Sequence, residues 1–78
     1  MIYPVSIFTL DHYLQRSGCV SSHIGFDYTW ERGRMSARTP VNQNKIMYER
    51  GVAIVLDALG FSKEDFEFYA MSADNAKT

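Results

Sequence analysis

From Ile24 to Trp30 the chain alternates, with Ile24, Phe26, Tyr28 and Trp30 on one parity and Gly25, Asp27 and Thr29 on the other. A period of two with bulky side chains on one side predicts a strand with one buried face. Glu31-Arg32-Gly33 then suits a three-residue hairpin loop with Gly33 at the positive-φ position. The return strand is expected over Arg34–Thr39, with Met35 and Ala37 facing inward and Arg34, Ser36 and Arg38 facing outward.

Before this hairpin the alternation is looser. Tyr3, Val5 and Ile7 share a parity, and Pro4 restricts the segment to an edge strand or an extended arm. Thr9 is expected to cap a helix from Leu10 to about Ser17, with Leu10, Tyr13 and Leu14 on one face and Gly18 as its stop.

After the hairpin the period lengthens. Thr39-Pro40 reads as an N-cap and first helical residue, because a proline there loses no N–H that the helix needs. The helix is expected to reach Leu59, polar at first (Asn42, Gln43, Asn44, Lys45) and then apolar nearly all round over Val52–Leu56. Gly51 inside it implies close packing of another backbone. Gly60 ends this helix, and Ser62 caps the next, with Asp65 three residues on and Phe61 and Phe66 placed as a hydrophobic staple. That second helix is expected to last to about Ser72, leaving residues 74–78 as a disordered tail. The fold class is therefore α+β: an N-terminal extended segment and helix, a central β-hairpin and a C-terminal αα-hairpin, in one small domain over residues 1–78.

Composition agrees with a folded domain. With 46% hydrophobic and 22% charged residues the chain lies in the globular range, and 78 residues supply one core only. Small cores have little margin, which leaves homodimerisation open. The aromatic share of 14% is more than so short a chain easily hides, so part of it is expected at an interface. The one cysteine, Cys19, excludes an internal disulfide and fits a reducing, cytoplasmic setting. The N-terminal apolar run is short and has no basic lead, so neither a signal peptide nor a membrane span is expected.

Charge is distributed unevenly. Arg32, Arg34, Arg38, Lys45 and Arg50 lie between Trp30 and Arg50 against Glu31 and Glu49, giving +3 in a chain whose total is −1. The segment that follows carries Lys63 and Lys77 against Asp57, Glu64, Asp65, Glu67 and Asp74, or −3. A field of this kind selects partners by sign.

Catalytic and metal motifs are missing from the sequence. Asp11, His12, Cys19, His23 and Asp27 are of zinc-ligating types but lack metal-site spacing, and there is no nucleophile elbow, P-loop or dinucleotide fingerprint. No catalytic residue, metal or cofactor is expected. A helix-turn-helix over Leu10–Tyr28 would need an apolar residue where Asp27 stands.

Residues 34–73 run strand, helix, Gly-x-Ser turn, capped helix, and the strand alternates Arg34, Ser36, Arg38 with Met35, Ala37. This resembles the ribbon-helix-helix repressors, whose paired strands from two subunits read the major groove. Over about half the chain the resemblance implies a dimeric DNA-binding regulator using strand Arg34–Thr39, with Arg34, Ser36 and Arg38 as base readers. Against it, Glu64 and Asp65 open the second helix where such proteins meet phosphate, and net charge is negative, whereas phosphate neutralisation dominates non-specific affinity.

The reading that fits more of the chain is a non-enzymatic regulatory protein that binds another protein. Its expected contact residues are Trp30, Arg32, Arg34, Ser36, Arg38 and Lys45, since arginine and aromatic residues dominate interface energetics. Arg34 is expected to lie over Trp30 as a cation–π pair. As a class, small motif-free chains with segregated charge are similar to inhibitory proteins of phages and other mobile elements, which cover a working surface of a host protein. The acidic C-terminal helices are the alternative contact surface.

Overall fold

In a computed structural model, which describes residues 2–76 and the side chains of residues 2–72, five short strands and three helices form one α+β unit. The elements are β1 (Val5–Ser6), α1 (Ile7–Arg16), β2 (Val20–Ile24), β3 (Asp27–Arg32), β4 (Met35–Pro40), β5 (Ile46–Met47), α2 (Glu49–Leu59) and α3 (Lys63–Ala76). Strands β2-β3-β4 make an antiparallel sheet, and β1 pairs with β5 in a separate two-stranded one. Helix α1 lies against β2 and α2 against β4, while α3 packs on α1 and α2.

The N-terminal arm becomes helical earlier than its pattern suggested. Ser6 caps α1, its hydroxyl oxygen accepting from the Phe8 N–H at 3.1 Å, so the helix starts at Ile7 and Thr9 lies inside it. Ile7, Leu10, Tyr13 and Leu14 then form one buried stripe.

Strand β2 has no counterpart in the expected elements. Gly25 (φ +62°) and Phe26 form a two-residue turn that pairs Ile24 with Asp27, and this cuts the alternating run in two. Directly opposed residues share a face, so Ile24 follows Asp27 outward and is 86% exposed, and Phe26 at the turn is 55% exposed. Tyr28 and Trp30 are buried.

The second hairpin is tighter than a three-residue loop allows. Gly33 (φ +60°) and Arg34 make the turn, and Arg32 pairs with Met35. Arg34 is therefore a turn residue, and the return strand runs Met35–Pro40. Thr39 and Pro40 belong to that strand and do not start a helix. The register explains how a proline fits: the Val41 N–H bonds to the Phe26 carbonyl at 2.7 Å, so Pro40, one residue earlier, has its nitrogen turned to the free edge, where no ladder donor is missing.

Residues 41–45 form a connecting turn closed by the Lys45 N–H on the Asn42 carbonyl at 3.0 Å, and α2 begins only at Glu49. The close neighbour implied at Gly51 is a side chain: a Cβ built there would lie 3.2 Å from the Met47 methyl. Gly60 (φ +78°) ends α2 in the left-handed conformation, and the Ser62 hydroxyl oxygen accepts from the Asp65 N–H at 3.4 Å. Phe61 and Phe66 both meet the Tyr13 ring edge-on. Helix α3 continues to Ala76, and the last two residues of the expected tail, 77 and 78, lie outside the described residues. The core is filled by Trp30, Phe66, Ile7, Leu10, Leu14, Leu56, Leu59, Val52 and Val55.

Candidate binding face

One face of the three-stranded sheet covers α1 and α2. The other has no element of the described residues packed on it. The register arranges the open face in three rows: Val20, Glu31 and Ser36; Ser22, Thr29 and Arg38; Ile24, Asp27 and Pro40. Only Asp27 and Thr29, in the central strand, are partly buried. Arg38 reaches diagonally to Asp27 and donates from Nη2 to Oδ2 at 2.9 Å. Both side chains stay well exposed, so this pair contributes at most about 1 kcal/mol to stability. A shallow depression of about 230 Å³ lies beside it, lined by Ser22, His23, Ile24, Asp27, Thr29 and Arg38.

The six residues expected to form one contact surface separate into two groups. Arg34 is exposed in the hairpin turn, and Ser36 and Arg38 project from the open face, so these three stay together at one hairpin. Trp30 points the other way and is fully buried. Its indole Nε1 donates to Asp11 Oδ1 at 2.9 Å, and its ring stacks near Tyr28 with centroids 5.9 Å apart. A partner cannot reach it, and the expected Arg34–Trp30 pair does not form.

Arg32, two residues after Trp30, shares its inward parity. Its guanidinium lies 4.5 Å from the Phe61 ring centroid, and Nη1 donates to the Leu59 carbonyl at 3.0 Å. Arg32 thus closes the C-terminal end of α2, which has no basic residue of its own. Lys45 lies in the 41–45 turn at φ +58°, with Nζ 5.6 Å from the Phe8 ring centroid, away from the hairpin.

The residues that complete the open face, Val20, Ser22, Ile24, Thr29 and Glu31 with Asp27, were not among those expected. The available signal was the shared parity of Val20, Ser22 and Ile24 just before Gly25. With them present the face has two carboxylates and one guanidinium, a charge of −1 that Arg34 at the tip brings to zero.

The acidic C-terminal helices are partly committed to internal contacts. Lys63 Nζ donates to Glu49 Oε2 at 2.6 Å and lies 3.8 Å from Glu67 Oε2. The Tyr3 hydroxyl donates to Glu67 Oε2 at 2.9 Å, and burial together with that carboxylate pushes the phenol pKa up. Lys63 is pushed up by its hydrogen bond to Glu49. Burial raises the thiol of the buried Cys19 as well.

Among the described residues no three of His, Cys, Asp and Glu gather where they could hold a metal ion, and no helix is long and apolar enough to cross a membrane. No protein-family model, curated protein or solved structure matches the chain.

Proposed function

We propose that this chain is a non-enzymatic binding protein that acts by protein–protein contact through the open face of its sheet and the Gly33-Arg34 turn. The observation that carries this reading is the mixture on that face: Val20 and Ile24, hydroxyls of Ser22, Thr29 and Ser36, and charges of both signs about the Asp27–Arg38 pair. Apolar groups flanked by complementary charges suit a polypeptide surface, where charge sets orientation and on-rate. The same mixture disfavours duplex DNA, because Asp27 and Glu31 would approach phosphates alongside Arg38. A protein of this kind acts by occupying a partner's working surface, as the small inhibitors of mobile elements do.

The test is affinity capture with the wild-type chain and with an Arg38→Glu, Glu31→Lys variant, followed by calorimetry with the purified captured protein. The expected result is one dominant protein that binds the wild type and loses at least tenfold in affinity for the variant, whose fold stability falls by no more than about 1 kcal/mol with the loss of the Asp27–Arg38 pair. A steeply salt-dependent mobility shift of duplex DNA that Arg34→Ala plus Arg38→Ala abolishes would overturn the proposal in favour of a DNA-binding regulator.

A further inference from the structure

The two edges of the three-stranded sheet are protected very differently. Backbone groups in an antiparallel ladder alternate between neighbours. Tyr28, Trp30 and Arg32 bond to β4, and Asp27, Thr29 and Glu31 bond to β2, so the unpaired N–H and C=O groups of β2 are those of Ser21 and His23 and those of β4 are those of Ser36 and Arg38. On the β4 edge stand Arg34, Arg38 and Pro40. Every register that aligns the free groups of two β4 strands brings arginine opposite or diagonal to arginine, the arrangement by which edges discourage pairing. The β2 edge, Val20-Ser21-Ser22-His23-Ile24, has neither a Lys, Arg, Asp or Glu nor a proline, and its Val20 and Ile24 are 70% and 86% exposed.

We infer that β2 pairs antiparallel with the β2 of a second copy of this chain, across a twofold axis at Ser22. The segment is self-complementary in that register. Ser22 meets Ser22, and Ser21 meets His23 at both ends, so the free backbone groups exchange four hydrogen bonds. Val20 meets Ile24 twice, on the open face and in a wide pair of the ladder, where side chains approach most closely. Neighbouring registers lose this match: centring on Ser21 or His23 leaves an apolar residue against Ser22. No charge meets its like along the five residues. The product is a six-stranded sheet ordered β4-β3-β2-β2-β3-β4, with both open faces on the same side.

A five-residue edge lies at or below the roughly 1,200 Å² low end of stable interfaces, so the dimer is a reversible one in the micromolar-to-millimolar range. It does not depend on what the open face binds.

Sedimentation equilibrium tests the association, from roughly 10 μM to 1 mM so as to span that affinity range. The mass should rise with concentration from 8.9 kDa toward twice that value. Ile24→Lys should weaken association at least tenfold with an unchanged unfolding midpoint, since the side chain is exposed. Ser22→Cys tests the register, because opposed residues of a wide pair lie within disulfide reach. Under mild oxidation Ser22→Cys should give a covalent dimer, while Ser36→Cys on the β4 edge and the wild type, whose Cys19 is buried, should not. A wild type that stays at 8.9 kDa throughout, an Ile24→Lys variant that associates as tightly as the wild type, or Ser36→Cys cross-linking as readily as Ser22→Cys would each overturn the inference. None of these outcomes depends on capture of a foreign protein.

Discussion

Asp11 and Trp30, nineteen residues apart, are joined by a hydrogen bond of 2.9 Å from the indole Nε1 to Oδ1. The bond fixes α1 over the central strand and satisfies the one polar group of the largest buried side chain. Asp11→Ala should leave that N–H of a fully buried side chain without its acceptor and cost about 1–3 kcal/mol. Asp11→Asn keeps an acceptor and should cost less. Denaturant unfolding followed by the emission of Trp30, the sole tryptophan, measures both.

Arg32 should behave as a structural residue. Its guanidinium satisfies the Leu59 carbonyl at the end of α2 and covers Phe61. Arg32→Ala should cost about 1–2 kcal/mol through the lost charged hydrogen bond and stacking. Arg32→Lys should recover little, because a compact ammonium cannot lie flat on the ring while donating to the carbonyl. Arg34→Ala, two residues on in the exposed turn, should leave the unfolding midpoint within error. Parallel denaturation curves of the three variants separate the roles.

The contrast between Arg32 and Arg34 also marks how far this sequence can be read. The α2–α3 junction was legible because its determinants are local: Gly60, Ser62 and Phe61 with Phe66 lie within seven residues and each has its own conformational preference. Alternation along β4 was legible too, with Ser36 and Arg38 outward and Ala37 inward. Turn length was not. Moving the turn from Glu31-Arg32-Gly33 to Gly33-Arg34 turned Arg32 from a loop residue into the inward end of a strand. Strand β2 was hidden because it buries no continuous face of its own and is held by its ladder to β3, a pairing that no local propensity encodes. Thr39-Pro40 misled for the same reason. A good helix start is also an acceptable edge-strand end when the proline nitrogen faces outward, and pairing with β3 decides between them.

The Tyr3–Glu67–Lys63–Glu49 cluster, which ties the N-terminal arm to α2 and α3, should make stability fall in alkali. Tyr3 has a raised pKa in the folded state, from burial first and the Glu67 carboxylate second. A raised folded-state pKa contributes stability that is complete below the unfolded value, about 10 for tyrosine, and is lost as pH climbs through the folded one. Lys63, raised by Glu49, and Tyr13, raised by burial, act in the same direction. Urea midpoints should therefore hold to about pH 10 and then drop. Tyr3→Phe should lower the stability at neutral pH by roughly 1 kcal/mol and flatten the alkaline decline without abolishing it, since Tyr13 and Lys63 remain.

Ser62 performs two tasks at the start of α3, and one substitution can distinguish them. Its hydroxyl oxygen accepts from the Asp65 N–H, and its O–H donates to Glu64 Oε2 at 2.9 Å. The first bond caps the helix, and its loss in Ser62→Ala should cost about 1 kcal/mol at any pH at which the chain is folded. The second holds the Glu64 carboxyl below its usual range. A lowered folded-state pKa gives stability that is present above the ordinary carboxylate value and is lost as pH falls through the folded one. Removing the hydroxyl should return the Glu64 titration toward the ordinary value and remove a contribution that is present at neutral pH and that the wild type itself loses in acid. Carboxyl NMR titration of wild type and Ser62→Ala reads the second effect independently of the denaturation midpoint. A stability loss with an unmoved Glu64 titration would assign the hydroxyl to the cap alone.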